Sequence, residues 1–320
     1  MQFAITIDTE VDKSPDWSVS SDASFEGVTR GVQGILHPLF VEKAITPVYF
    51  LSNEILADRS LSSIFEKFQI EKSAEVGTHL HYEAAGPLEV GEIAGRKLDG
   101  VQAQLAESDE RVALQWLTDK YEERFSKKPV SFRAGRYGLS RHSIALLAEL
   151  GYKVDSSATP GLVWDYKVGD RNFVTDYRDA STQPYECNPN DPSMVGASGV
   201  LQMPISLEKA PLSPRETLRL ALGKQRRWIW ARPMFASKPE LLRMIEASAK
   251  RQNQADIIVM MFHNMEIIPG KSPYCATEHD AASYLDCLVY FIEQATNYGL
   301  SSITLEDYAR KFHSRLFKNS

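Results

Sequence analysis

The chain contains few cysteines and no long apolar segment. Of its 320 residues only three are cysteines, Cys187, Cys275 and Cys287, and an odd number without a CxxC pair is not typical of a disulfide framework. The longest apolar runs, such as 257–262, fall far short of the roughly 20 residues that a membrane-spanning helix needs. No basic leader precedes the apolar segment 3–7, so we expect a cytoplasmic protein with reduced, structural cysteines.

The sequence also lacks an excess of basic residues. Lys and Arg number 36 against 42 Asp and Glu, which gives a formal net charge of -6 and disfavours binding to nucleic acid. The motifs GxGxxG followed by an acid, GxxxxGK[ST] and GxSxG are absent, so dinucleotide, P-loop and serine-hydrolase functions have no support. Hydrophobic residues at 43% and charged residues at 24% are ordinary for a globular protein.

Short apolar segments alternate with amphipathic ones along the chain. Strands are predicted at 2–7, 46–51, 74–79, 130–133, 152–155, 256–262 and 302–304. Helices are predicted between them: one ends at Gly151, one begins at a capping box formed by Ser237 and Glu240, and a long one runs over 279–297. This alternation indicates parallel strands joined by right-handed crossovers, which both an open doubly wound sheet and a closed barrel satisfy.

The segment 159–236 interrupts the alternation, because it is rich in Pro, Asn, Asp and Gly. We interpret it as a long insertion or lid before the penultimate strand, within a single domain over 1–320. Its basic residues near Trp228 and Trp230 are Arg215, Arg219, Lys224, Arg226, Arg227 and Arg232. They could contact an anionic sugar, a phosphate or a membrane surface, but a solvated helical face anchored by buried tryptophans explains them equally well.

Polar side chains follow nearly every predicted strand, at the end where parallel α/β proteins gather their function. Asp8 and Glu10 follow the first strand, and their i, i+2 spacing points both carboxylates to one side, so that one can bind a metal while the other acts as a base. His79 and His81 follow the third strand and share a face in the same way. Two imidazoles and one acid are typical of a hydrolytic zinc site, and Glu83 competes with His81 for the last ligand position.

Three further strands end in candidate functional residues. Arg133 follows the fourth strand, and a partly buried guanidinium needs an acidic partner, for which Asp8 is the natural choice. Asp155 ends the fifth strand. His263 emerges from the sixth, where it could protonate a leaving amine, although an isolated histidine at such a position is by default a core residue. The rigid loop that ends at Tyr274 is suited to substrate contact.

In this order, these segments resemble the motifs of the polysaccharide deacetylase family, the NodB-homology carbohydrate esterases, in a branch found with bacterial surface-polysaccharide genes. The matching segments span most of the chain and are ITIDTE at 5–10, PVYFL at 47–51, EVGTH at 75–79, FRAGRY at 132–137, VDSS at 154–157 and FH at 262–263. The resemblance implies a distorted (β/α) barrel of about seven parallel strands with a groove at their carboxyl ends. It also implies a divalent metal, usually zinc, and removal of N-acetyl groups from a sugar or polysaccharide precursor.

The resemblance also assigns roles by position. Asp8 would be the base, Glu10 and His79 metal ligands, Arg133 the group that orients Asp8, Asp155 the group that tunes His263, and His263 the general acid. Arg136 and Tyr137 would contact the substrate, and a backbone N–H of one of them would bind the oxyanion.

The chain departs from the family pattern in three places. Thr9 separates the two acids, which are usually adjacent, and the metal-binding acid is Glu10. Glu83 stands where the second metal histidine is usual, so that His81 must substitute for it or Glu83 must bind the metal. Gly135 and Arg136 replace the usual Pro and aromatic residue. Two other functions therefore stay open: a metal-dependent hydrolase of another amide or of an O-acetyl ester, and an inactive saccharide-binding protein.

Overall fold

The computed structural model describes residues 1–82, 95, 100–168, 170–223, 227–251 and 256–316. Its strands are β1 (Gln2–Thr9), β2 (Val48–Leu51), β3 (Glu75–Leu80), β4 (Ser131–Ala134), β5 (Val154–Asp155), β6 (Val163–Val168), β7 (Arg171–Asp176), β8 (Tyr185–Asn188), β9 (Asp191–Val195), β10 (Leu201–Gln202), β11 (Leu207–Lys209), β12 (Trp228–Trp230), β13 (Ile257–His263) and β14 (Ser301–Ser302). Its helices are α1 (His37–Glu42), α2 (Asn53–Ala57), α3 (Arg59–Ile70), α4 (Glu107–Phe125), α5 (Ser143–Leu150), α6 (Pro214–Ala221), α7 (Lys238–Arg251), α8 (Glu278–Asn297) and α9 (Leu305–Leu316). A π-helical segment, Gly27–Leu36, runs directly into α1.

One curled sheet carries most of the strands and forms the wall of a distorted (β/α) barrel, as the sequence predicted. Its order is β13-β1-β2-β3-β4-β5-β10-β8-β9, and β14 also pairs with β1. All neighbours from β13 to β10 are parallel, as is β14, whereas β8 and β9 add antiparallel pairs at one edge. The predicted strands correspond to β1–β5, β13 and β14 and are confirmed, with boundaries that differ by one or two residues.

The central strands alternate between two apolar layers, because successive side chains of a strand point to opposite faces. In β1, Phe3 and Ile5 join the larger core between the sheet and the surrounding helices, while Ala4 joins the core inside the curl. The inward series of β1 continues with Thr6 and Asp8. The interior of the barrel therefore changes from apolar to polar as the strands approach their carboxyl ends.

The C-terminal helix α9 closes the other end of the barrel. Leu305 and Tyr308 pack inside the curl with residues near the amino ends of the strands, such as Ala4 and Ile257. The carboxyl ends of the strands are left as the open end, where the strand-end side chains gather.

The helices predicted from capping signals are present. Ser237 donates its backbone N–H to Oε2 of Glu240 at 2.9 Å at the start of α7. Thr277 and Asp280 form a capping box at the start of α8, which ends before Gly299 as expected. Gly151 ends α5 with a φ of 97°, a left-handed conformation that favours glycine.

The segment 159–236, interpreted as an insertion or lid, contains several short strands that the sequence analysis missed. β8, β9 and β10 extend the main sheet, whereas β6 pairs with β7 and β11 with β12. Strands this short, interrupted by Pro and Asn, carry no clear period, and their pairing depends on distant partners. The assignment of the whole chain to a single domain stays a prediction.

The basic residues of this segment do not all face solvent. Arg232 is buried and forms an ion pair with Glu266, and Arg227 pairs with Glu240, while Lys224 and Arg226 lie outside the described residues. None of the helices in the described ranges is both long and apolar enough to cross a membrane. Peripheral contact of the segment with a membrane stays a prediction.

Candidate active site

A pocket of about 420 Å³ lies at the carboxyl ends of the parallel strands. Three kinds of side chain line it: acids and histidines, three cations, and a wall of aromatic rings. In that order they are Asp8, Glu10, Asp16, His79, His81 and His263; Lys13, Arg136 and Arg232; and Trp17, Tyr137, Trp164, Tyr166, Trp230, Phe235 and Tyr274. The structure thus brings together every predicted site residue that it describes except Arg133 and Asp155, which lie buried behind the pocket.

Glu10, His79 and His81 form a cluster that can hold a divalent cation. Oε1 of Glu10 lies 3.1 Å from Nε2 of His79 and 3.3 Å from Nε2 of His81, and one donor atom from each residue lies within 4.8 Å of the others. One carboxylate and two imidazoles are ligands that zinc accepts while keeping a position open. Glu83 lies outside the described residues, so its competition with His81 stays a prediction.

The tautomer of His79 suits a metal ligand. Its Nδ1 lies 3.0 Å from the carbonyl oxygen of Arg133, and because a carbonyl can only accept, Nδ1 must donate. The unprotonated nitrogen of the neutral ring is then Nε2, which faces Glu10. A histidine held through its other ring nitrogen in this way is the usual support of a metal ligand.

Backbone contacts fix the positions of the two other cluster residues. Asn264 clamps the backbone of Glu10: its Oδ1 accepts from the Glu10 N–H at 2.9 Å, and its Nδ2 donates to the Glu10 carbonyl at 3.0 Å. Gly135 makes room for His81, because a Cβ at that position would lie 2.9 Å from Cε1 and Nδ1 of the imidazole. The glycine that replaces the family's usual residue therefore has a local steric reason.

Lys13 is a cation next to this cluster that the sequence analysis missed. Its Nζ lies 2.9 Å from Oε2 of Glu10, and both side chains are almost fully buried. Burial raises the pKa of Glu10, but the Lys13 ammonium and contacts with the two histidines outweigh it, so the pKa of this carboxyl lies well below its ordinary value. Glu10 is therefore ionised at neutral pH, as a metal-binding carboxylate must be.

Asp8 and Arg133 form the buried ion pair that the sequence predicted. Nη1 of Arg133 donates to Oδ1 of Asp8 at 2.7 Å, Nη2 to Thr6 and to Ser156, and Nε to the carbonyl of Ser156. Arg133 is fully buried and stacks over the ring of Phe50. Burial raises the pKa of Asp8, yet the charge of Arg133 outweighs this effect and the net pKa is lowered. The carboxylate is thus ionised and fixed in direction.

His263 lies opposite Asp8 in the parallel register of β13 and β1, and its ring is held by Glu266. Its Nδ1 is 2.7 Å from Oε1 of Glu266, and its Nε2 is 3.6 Å from Oε1 of Glu10. Arg232 and Tyr284 also donate to Glu266. The partner of the His263 ring is therefore a residue three positions later in the chain, which the family pattern does not suggest.

Asp155 has different contacts from those that the resemblance implies. Its carboxylate accepts from the Ser157 hydroxyl at 2.6 Å and from Nε2 of Gln202, and among the described residues it has no hydrogen bond with His263. Ser157 in turn accepts from the backbone N–H of Ala134 at 2.9 Å. Asp155 therefore supports the turn that follows β4. Complete burial raises the pKa of Asp155 to about 6.

Arg136 and Tyr137 form a strained turn at the rim of the pocket. Their φ angles are 55° and 62°, a conformation that non-glycine residues seldom adopt and that the surrounding structure must hold. The hydroxyl of Tyr166 donates to the Arg136 carbonyl, and that of Tyr177 donates to the Tyr137 carbonyl at 3.1 Å. The segment 159–236 thus supplies both hydroxyls that stabilise this turn.

The aromatic wall was mostly missed from the sequence. Trp17 lies with its ring centre 5.2 Å from that of His263 and 5.3 Å from that of Tyr274, the predicted substrate-contacting residue. Trp164 stacks on Tyr166 from the same face of β6. The i, i+2 spacing of these two aromatics is a strand signal that could have been read, whereas nothing local marks Trp17 as a pocket residue.

Comparisons with known proteins place the fold. No protein-family model and no curated protein match the chain. Among solved structures, Puue allantoinase aligns with a TM-score of 0.58 at 15% identity, covering 98% of this chain and 90% of its own. A probable polysaccharide deacetylase from Pseudomonas aeruginosa PAO1 aligns with a TM-score of 0.54 at 12% identity, covering 98% and 91%. A GH57-type branching enzyme from Pyrococcus horikoshii aligns with a TM-score of 0.55 at 12% identity, covering 97% and 70%.

These similarities establish the architecture that the sequence predicted. The chain has the fold of the NodB-homology polysaccharide deacetylases, and at such low identities the likeness concerns the fold alone. The neighbours carry different activities on one architecture, so the function must be argued from the side chains of the pocket.

Proposed function

We propose that this protein is a metal-dependent hydrolase that removes N-acetyl groups from a sugar or polysaccharide precursor. The observation that supports the proposal best is the convergence of Glu10, His79 and His81 with Asp8 and His263 in one pocket. A ligand set for a cation, an ionised carboxylate and a histidine with a buried carboxylate partner are the groups that amide hydrolysis needs.

Glu10, His79 and His81 would hold the metal. The donor set fits a divalent ion, since the carboxylate is ionised and the carbonyl of Arg133 holds Nδ1 of His79, which leaves Nε2 as the nitrogen available to a metal. The chemistry that such an ion supplies is Lewis acidity, which polarises the acyl carbonyl and activates water. Zinc is the ion we expect for one carboxylate and two imidazoles.

Asp8 would be the general base. Its Oδ1 is held by Arg133 at 2.7 Å, and its carboxylate faces the pocket at the end of β1, next to the cluster. Because the Arg133 guanidinium keeps Asp8 ionised and fixes its orientation, this carboxylate can accept the proton of an attacking water without first losing one of its own.

His263 would be the general acid. Glu266 holds Nδ1, so Nε2 is the nitrogen that points toward the cluster and the pocket. A proton on Nε2 can pass to the nitrogen of the departing amine, and the buried Glu266 carboxylate stabilises the imidazolium that donates it. The strained turn at Arg136 and Tyr137 would place the oxyanion-binding backbone, as the family resemblance implies.

The pocket walls favour a saccharide over other amides. Pyranose rings present apolar C–H faces that pack on aromatic rings, and Trp17, Tyr137, Trp164, Trp230 and Tyr274 line the pocket. The fold shared with an allantoinase favours a second candidate, the hydrolysis of a non-sugar amide by the same residues. A panel of N-acetylated saccharides, O-acetylated saccharides and cyclic ureides separates the two activities.

The deciding experiment measures metal content and acetate release on the same preparations. We expect the protein to bind zinc, to release acetate from N-acetylated oligosaccharides, and to lose the activity with a chelator. Asp8→Asn should keep the metal and lose about 100-fold or more in kcat. His79→Ala should lose the metal, and Asp22→Asn, an exposed acid on the loop that follows β1, should behave as wild type. Full activity of Asp8→Asn, or no metal in the wild type, would contradict the proposal.

A further inference from the structure

Lys13 is held in the interior of the candidate metal site by the loop that follows β1. Its side chain is only 4% exposed, although lysine is among the residues least often buried. The backbone N–H of Lys13 donates to the carbonyl of Lys271 at 3.0 Å, and Lys13 also forms an isolated antiparallel bridge with Val19. These backbone contacts fix the residue three positions after Glu10 and direct its side chain into the pocket.

The two carboxylate oxygens of Glu10 face different partners. Oε1 faces Nε2 of His79 and Nε2 of His81, at 3.1 and 3.3 Å. Oε2 faces the Nζ of Lys13 at 2.9 Å. Oε1 therefore lies next to the histidine nitrogens of the cluster, whereas Oε2 is paired with the Lys13 ammonium.

Among the residues that the structure describes, the Lys13 ammonium has an ion pair with Glu10 but no hydrogen bond. Despite its short distance from Glu10, Nζ lacks the angular geometry of a hydrogen bond, and among the described residues it has no other hydrogen-bond partner. A buried ammonium without hydrogen bonds is costly, so the contact with Glu10 is what compensates for its burial. A divalent cation on Glu10 would stand close to a resident positive charge.

We propose that Lys13 is a built-in counterion of Glu10 that lowers the affinity of the site for its divalent metal, an inference that rests on the metal site of the proposed function. Without metal, the ammonium neutralises a carboxylate that is itself almost fully buried. In the presence of a metal, the Lys13 ammonium repels the ion and stays paired with Oε2, so that only Oε1 of Glu10 is free to coordinate the ion. The site then holds its metal less tightly than its ligand set alone would allow.

The alternative role for Lys13 is that of a substrate-contacting residue, since it lines the pocket. The two roles differ in what they change. A counterion of Glu10 alters metal binding in the absence of any substrate, whereas a substrate contact alters only KM. Metal affinity measured on the protein alone therefore separates them.

The test compares wild type with Lys13→Met, Lys13→Gln and Lys13→Arg, using zinc chloride in competition with a chromophoric chelator. Removal of the charge in Lys13→Met or Lys13→Gln should tighten zinc binding by about 10- to 100-fold, the size of effect that groups next to metal ligands commonly have. The melting temperature of the metal-free variant should fall, because Glu10 loses its counterion, and zinc should raise it by more than in the wild type. Lys13→Arg keeps the charge and should bind zinc like the wild type.

Lys271→Met is the matched control. Lys271 pairs with Glu26 at 2.9 Å on the neighbouring segment and does not touch Glu10, so its removal changes the net charge without changing the cluster. Zinc affinity that is unchanged or weaker in both Lys13→Met and Lys13→Gln overturns the counterion role while leaving the proposed function intact. A wild-type protein that binds no divalent metal overturns both. If the methionine variant does not fold, the glutamine variant decides the question.

Discussion

Nδ1 of His263 lies 2.7 Å from Oε1 of Glu266, a residue three positions later that is completely buried. The other carboxylate oxygen accepts from the hydroxyl of Tyr284 at 2.7 Å, and Arg232 pairs with the same carboxylate. Burial raises the pKa of Glu266, but the charges of Arg232 and His263 outweigh it and lower this pKa to about 2. An ionised carboxylate therefore fixes the proton on Nδ1 and turns Nε2 toward the pocket.

Replacement of this carboxylate by its amide should impair catalysis more than substrate binding. We expect Glu266→Gln to lower kcat by about 10- to 100-fold with little change in KM, since the neutral amide still accepts a hydrogen bond but no longer stabilises an imidazolium. Steady-state acetate release measures both constants. Tyr284→Phe removes one hydrogen bond and keeps the carboxylate, so it should lose less. Equal kcat for Glu266→Gln and wild type would show that Glu266 does not act through His263.

The strand-end residues could be predicted because the sequence pattern determines them. A strand alternates with period two, so Asp8 and Glu10 had to share a side, as did His79 and His81. The parallel order brought the strand ends together, and the cost of burying an unpaired guanidinium identified Asp8 as the partner of Arg133. These inferences need only the alternation of side chains along a strand, the parallel order of the strands and the pairing of buried charges.

The parts that were missed depend on side-chain geometry between distant segments. Asp155 ends one strand and Glu266 follows another, and only the structure shows that Glu266 forms a hydrogen bond with His263 whereas Asp155 forms one with Ser157. Lys13 lies in a loop whose path is set by backbone hydrogen bonds to other loops. Strand β10 has two residues, too few for an alternation of apolar and polar residues to appear in the sequence.

Gly135 offers a test of the steric argument for the metal cluster. A Cβ at this position would lie 2.7 Å from the carbonyl oxygen of Leu80 and 2.9 Å from the ring of His81, so one of them must move. We expect Gly135→Ala to weaken zinc binding and to destabilise the protein by about 1–3 kcal/mol. Calorimetric zinc titration and thermal unfolding provide the two readouts.

Gly34→Ala is the control for this substitution. A Cβ at Gly34 would meet only the carbonyl oxygen of Thr29, at 3.9 Å, and the residue is exposed on a helix. Alanine there should leave zinc binding unchanged and should stabilise the helix slightly. Zinc binding by Gly135→Ala that matches the wild type would mean that His81 is not a ligand or can shift without cost.

The buried pair of Asp8 and Arg133 should show strong energetic coupling. Arg133→Met leaves a buried carboxylate without its cation, and Asp8→Asn leaves a buried guanidinium without its anion, so each should cost about 3–5 kcal/mol of unfolding free energy. The double variant should cost less than the sum by up to about 3 kcal/mol, because no charge is then left unpaired. Urea unfolding of the four proteins gives the cycle, and strict additivity would refute the coupling.

Asp155 makes a prediction about the pH dependence of stability. The folded state raises its pKa from the ordinary value of 3.8 to about 6 through complete burial. Below a pH of 3.8 the Asp155 carboxyl is protonated in both the folded and the unfolded state. Between pH 3.8 and about pH 6 the carboxyl of the unfolded chain is ionised, while that of the folded protein keeps its proton. Unfolding free energy therefore falls as the pH rises through this window, by up to about 3 kcal/mol, and the loss is complete above it.

Asp155→Asn removes this titration, so its stability relative to the wild type should rise between about pH 4 and pH 6 and then stay level. The absolute difference also includes altered hydrogen bonds with Ser157 and Gln202, but these do not titrate, so the slope with pH is the diagnostic quantity. Urea unfolding at a series of pH values measures it. Asp179→Asn, at an exposed position of the same insertion, controls for the removal of one negative charge. If the Asp155→Asn difference does not vary with pH, the carboxyl is ionised equally in both states and burial does not govern it.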